Sequence, residues 1–383
     1  MTGAADVAEV ADLTSRMVAI DSVNPDLVPG AAGESEMAAF VSDRLRDAGL
    51  EVMVLEPVPG RPSVVGIARG RGGGRSLMLN AHLDTVGVAG MTDPHTPVVD
   101  GDRLYGRGAY DPKGSLAACM LAAARCRADD LRGDVIVAAV ADEEYASLGT
   151  RTVLEHVRAD YAIVAEQTGL GQVCVAHKGF AWMKVTTRGR AAHGSRADLG
   201  VDAIAHMGHV LTELGDLGER LSDRRHPLLG PATVHASLIA GGQELSSYPA
   251  GCTLELERRT LPGESRARVE DELRQLVDRC RLRLPDFEAT VETSLWRTPF
   301  ESSAESPIVA AVRRAAEART GTRPEPFGKA GWMDSALLAD AGTPAVVFGP
   351  GGDGAHALVE WVDLRDVAAC ADIYHEVARA ICR

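Results

Sequence analysis

The sequence predicts an α/β protein: a mostly parallel sheet covered by helices, interrupted by an inserted α+β unit. Three observations predict it. Short apolar runs of strand length alternate with longer, Ala-rich runs at helical spacing through the first 178 residues. From Gly179 the pattern changes to the alternation of half-buried antiparallel strands. After about Leu295 the first texture resumes. The expected organisation is a discontinuous first domain, 1–178 and 291–383, with a second domain inserted at 179–290. A chain of 383 residues suits about two to three domains.

In chain order, Val7, Val10, Leu13, Met17 and Ile20 fall three or four apart, which predicts a helix over residues 5–20. A second helix is expected from Glu34 to Ala48, stopped at Gly49. Strands are expected at Glu51–Leu55, Ser63–Ala68, Ser76–Asn80, Val135–Val140 and Ala162–Ala165, with helices at Ser115–Arg127 and Thr150–Val157. The Gly-rich stretch Arg69–Arg75 joins two strand-like runs and opens no helix, so it fails the context test for a dinucleotide fingerprint and reads as a flexible hairpin loop. In the insert, Ala181–Thr187, Thr233–Ala240 and Cys252–Arg258 alternate like strands, and Val201–Glu213 and Ser265–Cys280 read as helices. Helices at Pro307–Thr320 and Met333–Ala341, a strand at Ala345–Phe348 and a helix from Leu364 complete the first domain.

Composition narrows the function. The hydrophobic fraction is 45% and the charged fraction 25%, ordinary for a globular chain. Forty basic residues against 54 acidic ones leave a formal charge of −14, which disfavours nucleic acid and anionic membrane surfaces as partners. No apolar run approaches the ~20 residues of a bilayer crossing, and the N-terminal residues do not read as a secretory signal. The seven cysteines are odd in number, scattered and never in a CxxC pair, so reduced thiols in a cytoplasmic protein are expected.

Five segments place a His or a carboxylate at an expected strand end or in a loop. Leu77–Asn80 runs into His82 and Asp84. The turn Tyr105–Gly114 carries Asp111, which reads as a helix N-cap followed by Pro112 at the first helical position. Val135–Val140 ends in Asp142, Glu143 and Glu144; Ala162–Ala165 ends in Glu166; Phe348 runs into a Gly-rich loop that reaches His356. Parallel strands bring such ends to one edge, where open α/β sheets place ligands. Consecutive acids repel one another unless they are solvated or bound to a cation.

The segments LNAHLDTV, YGRGAYDPKGSLAA, ADEEYASLGT, VAEQTG and FGPGGDGAHALVEWV resemble, in order and spacing, the successive motifs of one family. It is the dinuclear zinc amidohydrolase and peptidase family that contains acetylornithine deacetylase, succinyl-diaminopimelate desuccinylase and carboxypeptidase G. The resemblance implies a zinc-peptidase catalytic domain with an inserted lid or dimerisation domain, the latter containing GRAAHGS. It implies that His82 and Glu166 complete one metal site, Glu144 and His356 the other, and that Asp111 bridges both ions. Asp84 is implied to accept the imidazole N–H of His82 and fix its tautomer, and Glu143 to be general base and acid. A cis peptide after Asp111 is implied as well. His193 is implied to reach the partner subunit's site. Arg259, or the adjacent Arg258, is implied to hold a substrate carboxylate, which a guanidinium grips bidentately. Ser246 stands where many members have an asparagine that helps to hold substrate, so the acyl group and side chain stay open.

The implied activity is hydrolysis of the amide bond of an N-acyl amino acid by a homodimer joined through the lid domain. Two divalent ions per subunit are implied, zinc first, with cobalt or manganese suited to the same ligand types. A dipeptidase or carboxypeptidase on the same site is the second reading. A non-catalytic metal-binding homologue is the third, disfavoured because the base and all five ligand positions are present.

Overall fold

The computed structural model describes residues 5–383 and divides into two compact units. In the first, the strands Ser63–Ala68, Leu77–His82, Val135–Val140 and Tyr161–Val164 are buried at every residue. Near-continuous apolar runs of this kind are what a sheet covered on both faces demands. The sheet runs in the order Glu51–Leu55, Ser63–Ala68, Val135–Val140, Leu77–His82, Tyr161–Val164, Ala345–Val347, Gln172–His177. Val135–Val140, Leu77–His82, Tyr161–Val164 and Ala345–Val347 pair in parallel. The pairings on either side are antiparallel. The sheet is therefore mixed, parallel only at its centre, which corrects the expectation of a mostly parallel sheet. Connection length explains the start: the short link 56–62 can join antiparallel neighbours, whereas a parallel return needs a dozen residues or more.

The loop Arg69–Arg75 is not a hairpin. Val135–Val140 lies between the two strands it joins, so these are not neighbours. Nor are its glycines there for looseness. A Cβ on Gly70 would meet Arg132 O at 2.5 Å, and one on Gly74 would meet Gly133 N at 2.4 Å. The loop is packed against the backbone leading into Val135–Val140, and only glycine fits.

Helix Gly114–Cys126 is buried nearly all round, packed between the sheet and the last helix, Leu364–Ile381. Its Ala-rich composition lets both neighbours approach closely while Leu116 and Met120 fill the core. The helix begins at Gly114, with Lys113 preceding it. Asp111 is thus not its N-cap, because the chain turns sharply over Ala109–Lys113 with non-helical backbone at Asp111 and Pro112.

The second unit comprises Ala176–Glu301 with Gly328–Trp332. Its four strands form an antiparallel sheet in the order Thr233–Gly241, Gly251–Thr260, Gly179–Arg188, Glu288–Arg297. Helices Ala203–Ser222 and Arg266–Arg283 cover one face over a core of Met183, Val185, Leu254, Leu214 and Leu273. The expected cut at 290 falls inside Glu288–Arg297, an edge strand that presents Ala289 and Val291 to the core of the second unit and Glu288, Thr290, Glu292 and Ser294 to solvent. Among the described residues no helix is long and apolar enough to cross a membrane. All seven cysteines are free and buried.

Candidate metal centre

The parallel strands at the centre of the first unit end in the residues that matter. His82 closes Leu77–His82, Glu143 and Glu144 follow Val135–Val140, and Glu166 follows Tyr161–Val164. Two groups of donor atoms result, His82 with Asp111 and Glu166, and Asp111 with Glu144 and His356, each lying within 4.8 Å. His82 Nε2 is 3.1 Å from Asp111 Oδ1 and 3.5 Å from Glu166 Oε1. His356 Nε2 is 3.3 Å from Asp111 Oδ2 and 3.2 Å from Glu144 Oε1. A tetrahedral ion with bonds of about 2.0–2.1 Å sets its ligand atoms about 3.3–3.4 Å apart, so these separations fit ligands around a common centre. Each oxygen of Asp111 faces one group. That is the arrangement of a bridging carboxylate.

The shape of the Asp111 turn comes from a residue the motif pattern does not single out. Glu360, fully buried, accepts the backbone N–H of Gly108, Tyr110 and Asp111, each at 3.0 Å, and pairs with Arg107 at 2.6 Å. Arg107 also donates to Ala357 O at 2.9 Å, tying the Asp111 turn to the loop of His356. The Asp111–Pro112 peptide is cis, as expected.

Asp84 meets His82 through both its carbonyl and its carboxylate. The shorter contact of His82 Nδ1 is with the backbone carbonyl of Asp84, at 2.8 Å, while the Asp84 carboxylate lies 3.5 Å away. The carboxylate also accepts the backbone N–H of Glu143 at 3.1 Å and of Glu144 at 3.2 Å, and the Asn24 amide at 2.8 Å. Those donors are closer, so the Asp84 carboxylate holds the Glu143–Glu144 turn as well as facing His82, whose ring its carbonyl also meets.

Electrostatics suit a cation. Glu144 Oε1 is buried without a hydrogen bond, His356 Nε2 lying near it outside hydrogen-bond geometry. A buried acceptor in that position is satisfied by a positive ion. Burial acts against the charge on His82, but its contacts with Asp111, Asp84 and Glu166 outweigh it and hold the imidazole well above its usual value. His356 is pushed up to about 10, chiefly by Asp111 and then Glu144. Burial would raise Asp111, yet His356 and His82 hold its carboxyl far below the usual range. Glu143 is raised well above an ordinary glutamate, first by burial; His82 offsets part of this, and Asp334, Glu166 and Glu144 add to it.

A pH dependence follows. A metal takes neutral imidazole, so below about pH 10 binding at His356 must displace a proton. Metal affinity is expected to rise with pH between about 6 and 8, about tenfold per unit for each proton displaced. Calorimetric titration with zinc in buffers of different ionisation enthalpy measures this directly; pH-independent affinity with no proton release would contradict it.

A third cluster, Cys126, Asp129 and His375, also brings three donors together. Here His375 Nε2 and Asp129 Oδ2 are 2.5 Å apart, a direct hydrogen bond and too close for two ligands of one ion. Burial also pushes the Cys126 thiol far up, which disfavours the thiolate a metal needs. This cluster ties the end of one helix to another.

In the second unit, His193 is exposed, with Nδ1 2.8 Å from Ser195 Oγ. Its backbone bridges to Ser247, and Gly194 donates to Ser246 O, so the loop carrying Ser246 packs beside it. Strand alternation separates Arg258 from Arg259. Arg258 lies on the buried face, locked to Glu264 at 2.7 Å and Glu272 at 3.3 Å. Arg259 lies on the other face, partly exposed, paired with Glu257 at 2.6 Å and stacked over Phe180.

The model of peptidase family M20/M25/M40 matches residues 78–380, the span that contains every member of both donor groups. An acetylornithine deacetylase of Myxococcus xanthus is 33% identical over 96% of this chain and 95% of its own. The chain belongs to this M20 family. It is a metal-dependent hydrolase, and its two donor groups accommodate two metal ions. The same fold occurs in the aminopeptidase PepT of Bacillus cereus, with a TM-score of 0.82, 19% identity and full coverage of both chains. It recurs in the YXEP protein of Bacillus subtilis, a dinuclear metal binding peptidase of the M20 family, with a TM-score of 0.76, 17% identity and 98% coverage of each chain. Among M20 chains, then, this one carries the mixed sheet whose parallel centre delivers both donor groups to one edge.

Proposed function

We propose that this chain hydrolyses the amide bond of an N-acyl amino acid, with N-acetylornithine and N-succinyl-diaminopimelate the first candidates. The observation that carries this reading is Asp111, whose two oxygens each face one histidine, while Glu143 belongs to neither group but feels the charges of His82, Glu166 and Glu144. His82 and Glu166 would hold one ion, Glu144 and His356 the other, and Asp111 both. Divalent ions there, zinc first with cobalt or manganese suited to the same donors, supply an acidified water and draw electron density from the amide carbonyl.

Glu143 takes the proton of the attacking water and returns it to the leaving nitrogen. A carboxyl raised by burial is suited to both halves of that transfer. Asp84 keeps the Glu143 backbone in place. Arg259 is assigned the substrate carboxylate, because Arg258 is already occupied within the core of the second unit. The acetylornithine deacetylase relative supports a deacylase ahead of a dipeptidase or carboxypeptidase. Seven buried, unbridged cysteines support a reducing, cytoplasmic setting.

A hydrolysis screen of N-acyl amino acids and dipeptides, using apo protein reloaded with zinc, cobalt or manganese, tests the reading. Faster turnover of dipeptides would move the assignment to a peptidase; no metal-restored hydrolysis of any member would leave a binding protein.

His193 is assigned to the partner subunit's site in a homodimer joined through the insert. Support comes from its exposure and from the unpartnered edge strand Thr233–Gly241, where Leu238 is 65% and Ile239 56% exposed. Mixing inactive Glu143→Gln subunits with inactive His193→Ala subunits is expected to restore activity, since each mixed dimer regains one site with both groups intact. Demonstrated subunit exchange without recovered activity would leave His193 an interface residue.

A further inference from the structure

The turn Asp142–Glu144 carries the proposed base and a proposed ligand, and it is held from parts of the chain outside the motifs. Asp142 has a left-handed backbone, φ 66°. That conformation is uncommon for a non-glycine residue and persists only where surroundings enforce it. Here the side chain anchors it. Asp142 Oδ1 accepts from Asn24 Nδ2 at 3.0 Å and from an Arg61 terminal nitrogen at 2.8 Å, and Oδ2 accepts the Leu148 N–H at 3.2 Å.

Arg61 in turn grips Glu34 with two bonds, at 2.7 and 2.8 Å, and reaches Asp26 as well. Glu34 accepts the backbone N–H of Asp142 at 3.2 Å. Asn24 donates from the same amide nitrogen to Asp84 Oδ2 at 2.8 Å, and Asp84 receives the N–H groups of Glu143 and Glu144. The side chains of Glu34, Asp84 and Asp142 are buried to within 2% and that of Arg61 to within 7%. Buried charge of this kind gives little net stability over an apolar core of the same volume. Its bonds converge on one turn, which is the sign of a geometric task.

We propose that Arg61 is a positioning residue for Glu143. By holding Asp142 in its left-handed turn, with Asn24 passing the constraint to Asp84, it fixes where the Glu143 carboxylate stands. The proposal rests on the reading of Glu143 as base. It concerns turnover rather than metal or substrate binding.

Arg61→Lys keeps the charge but cannot grip Glu34 with two bonds while reaching Asp142. Arg61→Met combined with Glu34→Gln removes the cation together with one of its buried carboxylates. Both are assayed as metal-loaded full chains on the substrate the unaltered protein turns over fastest, with metal content and melting temperature measured alongside. The expected result is two ions retained, KM within about threefold, and kcat lower by about 10²-fold, the cost of misplacing a reacting group by about 1 Å. Should either melt below the assay temperature, Asn24→Ala, which leaves Arg61 in place and removes the link from Asp142 to Asp84 together with a bond to the Asp26 N–H, is read in the same way. A folded, two-metal variant with near-normal kcat makes Arg61 purely structural and overturns the proposal. So does a kcat loss that tracks loss of metal, since the network would then act on the ligands. Absence of metal-dependent hydrolysis in the unaltered protein would remove the reading beneath; an active unaltered protein with unaffected variants removes the proposal alone.

Discussion

Glu143→Gln is expected to lower turnover by about 10²–10⁴-fold while leaving two metal ions per chain, because the amide keeps the shape of the side chain but cannot take a proton. The separation of effects follows from the geometry. Glu143 belongs to neither donor group, so neither group loses an atom. Its backbone N–H remains bound to Asp84, so the turn keeps its position and Glu144 keeps its own. KM should change little, since the carboxylate acts on the water and the leaving nitrogen. Measuring kcat, KM and metal content on the same preparation decides the matter. Near-normal turnover in Glu143→Gln would take this residue out of the mechanism, and loss of metal would make it a ligand instead.

Asp111→Ala is expected to abolish activity by a different route, through loss of metal from both groups. Each of its oxygens faces one histidine, so a single truncation removes a donor from each group at once. Truncating Glu166 or His356 should by contrast weaken one ion and spare the other. A second readout needs no metal. His356 titrates at about 10 because of Asp111 first and Glu144 second. With Asp111 gone, its titration in metal-free protein should fall toward the ordinary histidine value of about 6.5, though not reach it while Glu144 remains. Stabilisation of charged His356 is present below its ordinary value and lost as pH rises through about 10, so the substitution narrows that window from above. Two retained ions, or an unmoved His356, would show that Asp111 does not bridge.

Four of the six candidate residues were legible in the sequence because they sit at strand ends, where an apolar run stops abruptly at a polar group, whereas Asp111 and His356 lie in loops. His82, Glu143, Glu144 and Glu166 all follow buried strands, and their convergence needs only that those strands run parallel. The helices and strands themselves were legible where the period was apolar: Glu51–Leu55, Ser63–Ala68, Val135–Val140 and Pro307–Thr320 stand where the pattern placed them. Legibility failed where polar residues carry the structure. Glu288–Arg297 turns only a thin apolar face inward, Ala289 and Val291 interrupted by Thr293, and the Arg69–Arg75 loop hides a close backbone approach behind glycines that resemble slack.

By itself the sequence determined which strand ends and loops carry a His or a carboxylate, and that a unit of different texture interrupts the first; the roles of ligand and base came with the family resemblance. The first two are local properties: periodicity, residue type and order along the chain. Tertiary structure alone decided that the sheet is parallel only at its centre, that Arg258 faces a core while Arg259 does not, and that the Asp84 carboxylate serves the Glu143–Glu144 turn. It also decided that Glu360 shapes the turn of Asp111, and that Asn24, Glu34 and Arg61 converge on Asp142 across 118, 108 and 81 positions of sequence. Glu360 lies within the segment that reaches His356 but nothing in the pattern marks its role, and Asn24, Glu34 and Arg61 lie outside every motif. A buried charge is tolerated only where distant groups meet it in three dimensions, and those meetings come from packing rather than from any pattern along the chain.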